Sequence, residues 1–103
     1  MLKRCEMNRQ PAVYLLTNRP RGTLYTGVTS NLPGRIWQHK NRITKGFSAK
    51  YNLTRLVYFE LFEDMYHAIA REKQLKAGPR TVKVRLIEKT NPGWKDLYPE
   101  ICG

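Results

Sequence analysis

Three short runs of β-branched and aromatic residues constrain the fold of this chain most. The first two, residues 12–17 (AVYLLT) and 23–28 (TLYTGV), are separated by a stretch with Asn, Pro and Gly, which is typical of a hairpin loop of four or five residues. The third run, residues 55–62 (RLVYFELF), is the clearest strand in the sequence. The three runs together predict a small antiparallel sheet.

Helical patterns lie between and after these strands. The first helix should begin after a cap at residue 30 or 31 and continue to Gly46. The second should span residues 65–76 after an Asp64 cap, and the third residues 80–90. The resulting order, β-β-α-β-α-α, predicts an α+β domain.

The chain length permits one compact domain. At 103 residues and 41% hydrophobic content, the chain can bury one core but not two. We expect a polar lead-in over residues 1–11, the domain over residues 12–98 and a tail over residues 99–103.

The charge of the chain favours a polyanionic partner. Lys and Arg total 19 against 8 Asp and Glu, which gives a net charge of +11. Because such an excess destabilises the folded state by self-repulsion, nucleic acid is the leading candidate partner. A membrane surface is disfavoured, since the basic residues are scattered along the chain rather than gathered beside an amphipathic helix. A protein that is merely basic remains an alternative.

The two cysteines and the apolar pattern predict a cytoplasmic protein. Cys5 and Cys102 form no zinc-binding pattern, although a disulfide between the termini stays open. The first ten residues lack the apolar segment of a signal peptide, and no run approaches the ~18 apolar residues of a membrane span. We therefore expect both thiols to be reduced.

A carboxylate on the second predicted helix points toward the core. Met65, Ala68, Ile69 and Leu75 share one helical face, and Glu72 lies inside that stripe. Because an unpaired buried charge costs several kcal/mol, Glu72 should be paired with a cation, hydrogen-bonded or bound to a metal. Escape of its side chain at the edge of the face, or a structural pair with Arg or Lys, is the alternative.

The first predicted helix has two polar residues on its apolar side. Leu32, Ile36 and Ile43 define the stripe, His39 projects into its middle, and Arg35 lies on its border. A buried core histidine and an arginine that reaches to solvent are the structural alternatives.

The two hairpin tyrosines share a face only under one parity of register. Tyr14 and Tyr25 look the same way if paired residue numbers have an odd sum. A sum of 39 places them directly opposite, whereas 41 places Tyr14 across from Gly27 with an exposed hydroxyl. The loop permits either parity, so both tyrosines could instead be packing residues.

These residue types suit phosphodiester cleavage. A carboxylate can hold a divalent metal, a guanidinium can bind the phosphate charge, and phenol or imidazole can transfer a proton. One carboxylate argues for one ion, and an oxygen ligand favours Mg or Mn.

The segments AVYLLTNRPRGTLYTGVTSNLPGRIWQHK, AREKQLK and EKTNPGW resemble small stand-alone members of the GIY-YIG nuclease superfamily. The resemblance covers residues 11–98, and its two signature triplets read here as residues 12–14 (AVY) and 25–27 (YTG). It implies a three-stranded antiparallel sheet flanked by helices, and metal-dependent hydrolysis of phosphodiester bonds in DNA.

The resemblance also implies roles for the candidate site residues. Glu72 would hold the single metal, and Arg35 would contact the scissile phosphate. Tyr14 and Tyr25 would line the site, one of them deprotonating or orienting the attacking water, with His39 sharing the role of general base. Asn91 matches a position that supports the site, although it could equally be a capping residue before a proline. Val28 departs from the pattern, because several family nucleases place a lysine there.

Two functions follow as expectations. The first is a metal-dependent DNA endonuclease of the repair or recombination type, acting on branched or damaged DNA, with a protein partner as one source of target selectivity. The second is a nucleic-acid-binding module with weak or no nuclease activity. Under both, binding should weaken steeply with salt. The candidate nucleic-acid contacts are Lys40, Arg42, Lys45, Lys50, Arg71 and Asn91.

Overall fold

The computed structural model describes residues 10–41 and 51–101. Within them the chain forms an α+β fold with the predicted order β-β-α-β-α-α, followed by one further short helix. The strands are β1 (Ala12–Thr17), β2 (Leu24–Thr29) and β3 (Arg55–Leu61), and the helices are α1 (Leu32–Lys40), α2 (Met65–Ala77), α3 (Arg80–Thr90) and α4 (Tyr98–Ile101).

The strands form one antiparallel sheet in the order β2-β1-β3. All six residues of the central strand β1 are buried, because helices cover both of its faces. The pairing of β1 with β3 shifts at a bulge between Leu15 and Leu16. The predicted sheet of three antiparallel strands flanked by helices is thus confirmed.

Two apolar layers enclose the sheet. On one face, Tyr14 and Leu16 pack with Ile36 of α1 and Ile101 of α4. On the other face, β1 packs against α2 and α3. The second layer contains Val13, Leu15, Ala68, Leu75, Ile87 and Trp94. Because strand side chains alternate between faces, each face of the hairpin supplies a different layer.

The hairpin loop has six residues, one or two more than predicted. One side-chain and one backbone hydrogen bond close the loop: Asn18 Oδ1 accepts from the N–H of Thr23 at 3.1 Å, and the Gly22 N–H donates to the Arg19 carbonyl at 2.9 Å. Arg21 adopts a φ of 58°, in the left-handed region. An even number of loop residues gives an odd pairing sum, so the loop fixes the parity that the sequence left open.

Helix α1 ends at Lys40, six residues before the predicted end at Gly46. The backbone N–H of Asn41 and its side-chain amide both donate to the Trp37 carbonyl, at 3.0 and 2.8 Å, and so cap the helix. Ile43, predicted to lie on the apolar stripe, falls outside the described residues, as do Cys5 and Cys102.

The core extends beyond residue 98, where the domain was predicted to end. Ile101 is only 5% exposed and packs in the layer that contains α1. At the other end, the Pro11 carbonyl accepts from the Phe62 N–H at 2.8 Å, which joins the lead-in to the end of β3. Among the described residues, no helix has the length and apolar character needed to cross a membrane.

Candidate active site

The register brings the two tyrosines to one face of the sheet. Tyr14 pairs with Gly27, so the sum is 41, and Tyr25 lies diagonally across on β2. Their ring centroids are 6.3 Å apart, at an interplanar angle of 44°. The structure therefore gives the parity under which both phenol groups look the same way.

The hydroxyl of Tyr14 is not exposed, which corrects the expectation for this register. Tyr14 is fully buried because its ring lies over Gly27, where a Cβ would overlap Tyr14 Cζ and Oη. The Tyr14 hydroxyl instead forms a hydrogen bond of 3.0 Å with His39 Nε2. Only glycine leaves room for this arrangement, a requirement that could be inferred from the sequence once the register was known.

His39 enters the tyrosine pair from α1, as its place in the apolar stripe predicted. The imidazole is buried, and its centroid lies 5.7 Å from both tyrosine rings. Burial and then the charge of Arg35 lower the pKa of His39 to about 4. The imidazole is therefore neutral near pH 7, and the tautomer with its proton on Nδ1 lets Nε2 accept from the Tyr14 hydroxyl.

Arg35 and Glu72 both act on the same hydroxyl. Burial, followed by the neighbouring Tyr25, raises the pKa of Tyr14 well above its usual value. The Arg35 guanidinium opposes this shift through its charge and a side-chain hydrogen bond, whereas the Glu72 carboxylate adds to it. The two charged groups thus lie within electrostatic reach of Tyr14, although α1 and α2 pack on opposite faces of the sheet.

Glu72 lies at the edge of the buried face of α2, mostly covered but outside the core. Its side chain is 13% exposed and pairs with Lys76 one turn later, with Oε2 and Nζ 2.7 Å apart. Ile69, predicted to share the apolar face, is 37% exposed, so that face is narrower than the sequence suggested. The pair is the structural alternative weighed for Glu72, and the i, i+4 spacing of the two residues was the signal for it.

The residues around Glu72 fit a weakly held oxygen-preferring ion. Among residues 10–41 and 51–101, no three His, Cys, Asp or Glu side chains gather in one place. An ion at Glu72 would therefore take its other ligands from water and phosphate oxygens, as Mg²⁺ commonly does. The single carboxylate fits Mg or Mn and does not fit a structural zinc site.

Two of the predicted nucleic-acid contacts also make structural bonds within the fold. Lys40 Nζ donates to the Thr54 carbonyl at 2.9 Å and forms an ion pair with Asp96. Asn91 is buried, with its amide donating to the carbonyls of Val57 and Lys95 at 3.2 and 2.9 Å. Both side chains are therefore engaged in contacts that hold separate parts of the chain together.

Arg71, a third predicted contact, anchors α2 to β3. Its guanidinium donates to Glu60 with Nε–Oε1 and Nη2–Oε2 distances of 3.0 and 2.9 Å, and Tyr58 donates its hydroxyl to the same carboxylate. The sequence offered no sign of this network, because its members come from separate elements. The remaining predicted contacts, Arg42, Lys45 and Lys50, lie outside the described residues.

The depressed pKa of His39 predicts a pH dependence of stability. The folded protein binds fewer protons than the unfolded chain between the folded pKa of about 4 and the ordinary 6.5. The free energy of unfolding should therefore fall as pH drops from about 6.5 to about 4. Urea unfolding at several pH values should show a flatter curve over this range for His39→Gln than for the wild type. Identical curves would contradict a neutral buried imidazole.

The comparisons with known proteins agree with the fold and with the family that the chain resembles. Residues 10–84 match the model of the GIY-YIG catalytic domain. The chain is 43% identical over 93 residues to a UPF0213 protein of Clostridium perfringens, covering 86% of this chain and 95% of the relative. It is 34% identical over 101 residues to a UPF0213 protein of Desulfotalea psychrophila, covering 94% and 89%. No solved structure matches. The chain therefore belongs to the GIY-YIG family of nuclease domains.

Proposed function

We propose that this protein is a metal-dependent endonuclease that hydrolyses phosphodiester bonds in DNA and selects branched or damaged structures, as in repair or recombination in the cytoplasm. The observation that carries the proposal is the convergence on the Tyr14 hydroxyl. His39 bonds to it at 3.0 Å, Tyr25 packs beside it, and the charges of Arg35 and Glu72 reach it. Such a combination of anion-binding and proton-transfer groups is what phosphodiester hydrolysis requires.

Arg35 and Glu72 divide the electrostatic work. The guanidinium of Arg35 binds the scissile phosphate and stabilises the charge that develops on its oxygens. The carboxylate of Glu72 would hold the divalent ion, which would supply Lewis acidity to the phosphate and to the attacking water. Lys76, paired with Glu72, is also positioned as the nearby cation that the valine at position 28 does not provide.

Tyr14 and His39 form a path for the proton of the attacking water. Because burial disfavours the phenolate, Tyr14 does not act as a base by itself. Its buried hydroxyl accepts the proton from a water that substrate binding brings into contact with it, as its own proton passes to His39 Nε2, so the phenol stays neutral throughout. Binding of phosphate offsets the charge of Arg35, which raises the proton affinity of His39 for this step. Tyr25 orients the water from the side of the site that is open to solvent.

The competing function is a nucleic-acid-binding module with weak or no nuclease activity. Two observations support it. Lys76 Nζ pairs with Glu72 Oε2 at 2.7 Å, where a metal ion would bind, and the net charge of the chain is +11. Lys76 is 54% exposed, and i, i+4 pairs on helices contribute only about 0.3–0.5 kcal/mol, which a divalent ion readily exceeds. We therefore favour the nuclease.

A cleavage panel tests the proposal. Single-stranded, duplex, flapped and four-way-junction DNA are incubated with the protein in Mg²⁺, in Mn²⁺ and in EDTA. We expect cleavage with either ion, none in EDTA, and faster cleavage of the branched substrates. If the protein binds all four DNAs but cleaves none with either ion, the binding module is the better description.

Substitution of Arg35 separates catalysis from general charge attraction. Arg35→Ala should lower the cleavage rate about a hundredfold or more, because it removes a group that stabilises the transition state. DNA affinity, measured by fluorescence anisotropy, should fall only a fewfold. Lys89→Ala, an exposed cation on α3, is the matched control and should change the rate little. Equal losses of rate and affinity for Arg35→Ala would make Arg35 an ordinary phosphate contact.

A further inference from the structure

One flank of α2 combines exposed apolar side chains with exposed lysines. Tyr66 is 78% exposed and Ile69 is 37% exposed, and Lys73 and Lys76 also face solvent. At about 100° per residue, these four residues lie within about 80° of one another around the helix. The opposite flank carries His67, Ala70 and Gln74 and no lysine. We call the first four residues the α2 strip.

The α2 strip runs past the candidate metal ligand. Around the helix, Glu72 lies next to the strip, on the side that faces the sheet. Its Oε2 lies 2.7 Å from Lys76 Nζ. With a rise of about 1.5 Å per residue, Tyr66 lies about 9 Å along the helix from Glu72, and Lys76 about 6 Å in the other direction. The strip is therefore continuous with the site and long enough to contact nucleotides on both sides of a phosphate held there.

The charges along the strip divide it into two parts. Lys73 and Lys76 give its C-terminal half a positive charge that attracts phosphates. On the N-terminal side of Tyr66, the negative charges of Glu63 and Asp64 repel a phosphate backbone. The exposed phenol ring, held edge-on by His67 at a centroid distance of 5.3 Å, offers instead an aromatic face. Such a face suits a base rather than a phosphate.

We propose that the α2 strip binds an unpaired DNA strand that leads away from the cleavage site, with one base stacked on Tyr66 and Ile69 and the adjacent phosphates on Lys73 and Lys76. The inference rests on the proposed function, since it places the scissile phosphate at Glu72. A paired base is already stacked within its duplex and presents no free face, whereas an unpaired base can stack on an aromatic ring. The strip thus gives a physical reason for selecting flapped or other single-stranded junctions over duplex DNA.

Binding measured in EDTA tests this inference without any cleavage. A labelled single-stranded oligonucleotide and the blunt duplex of the same sequence are titrated by fluorescence anisotropy. Tyr66→Leu, which keeps apolar area but removes the aromatic face, should weaken single-strand binding about fivefold or more and duplex binding less than about twofold. Tyr66→Phe should match the wild type. Because Tyr66 is exposed, neither variant should alter the melting temperature.

The lysines provide a second, independent readout. Lys73→Ala should lower the slope of log affinity against log salt for the single strand by about 0.7, the loss of one phosphate contact. Lys89→Ala on α3 serves as its control and should leave the slope unchanged. Equal weakening of both DNAs by Tyr66→Leu, no weakening, or an altered oligomeric state in sedimentation would each overturn the inference. Cleavage by the wild type would stand in all three cases, so the failure of this inference is distinguishable from failure of the nuclease proposal.

Discussion

Replacing Glu72 by Gln should abolish metal-dependent cleavage while leaving DNA binding nearly intact. The substitution keeps the size of the side chain but removes its negative charge, which acts on Tyr14. Under the proposed function, the divalent ion would then lose its protein ligand. Since metal catalysis contributes several kcal/mol to transition-state stabilisation, the rate should fall about a thousandfold or more. Nicking of plasmid DNA and of a flapped oligonucleotide measures this loss.

The controls for Glu72→Gln must separate the loss of a metal ligand from the loss of one negative charge. Glu63→Gln removes the same charge from an exposed position near the start of α2 and should leave cleavage unchanged. Isothermal titration with Mn²⁺ should show weaker binding for Glu72→Gln than for Glu63→Gln. Persistent cleavage by highly purified Glu72→Gln would remove Glu72 from the mechanism, and unchanged Mn²⁺ binding would remove it from the metal site.

The Lys76 pair is compatible with this role for Glu72. Lys76 is 54% exposed, so its ammonium group can return to water at little cost when an ion takes its place. A lysine that neutralises Glu72 also keeps the mostly buried carboxylate from being an uncompensated charge. The pair is therefore compatible with the proposed metal site and is not a permanent block of it.

Local patterns in the sequence were sufficient for the fold. The β-branched runs gave all three strands, and the caps gave the start of α2, where Asp64 accepts from the His67 N–H at 2.8 Å. The end of α1 was predicted wrongly because it depends on a single side chain that is not part of the apolar pattern. The side-chain amide of Asn41 caps the helix before the predicted end. The role of Ile101 was also missed, because one apolar residue near a chain end has no period by which to recognise it.

The candidate site was predictable in its residue types but not in its geometry. Whether Tyr14 and Tyr25 share a face depends on the number of loop residues, which is set by the Asn18 side chain and the left-handed Arg21 rather than by either strand. The partners of Lys40 and Asn91 were unpredictable for a related reason. Asp96 lies 56 positions after Lys40, and Val57 lies 34 positions before Asn91, so tertiary packing alone brings them together.

Gly27 connects the signature of the family to this geometry, and Gly27→Ala should cost the protein both stability and activity. A methyl group at position 27 would overlap Tyr14 Cζ and Oη, and the buried ring cannot move without leaving His39. Overpacking of this kind typically lowers the free energy of unfolding by about 1–3 kcal/mol. Displacement of the hydroxyl should also stop proton transfer, so cleavage should fall more than the loss of folded protein explains. Urea unfolding and cleavage assays on the same preparation measure the two effects.

A double-mutant cycle identifies Tyr14 as the cause of that cost. In Tyr14→Leu the shorter side chain does not reach over position 27, so adding Gly27→Ala should cost about 1 kcal/mol less than it does in the wild type. Gly93→Ala is the matched control, because a Cβ there meets only Lys95 Cγ at 3.6 Å, an ordinary contact. Its effect should stay within about 0.5 kcal/mol. An equal cost of Gly27→Ala in both backgrounds would mean that the glycine serves the backbone of β2 rather than the placement of the phenol. If the coupling is found, the glycine of the second triplet is required because it makes room for the tyrosine of the first.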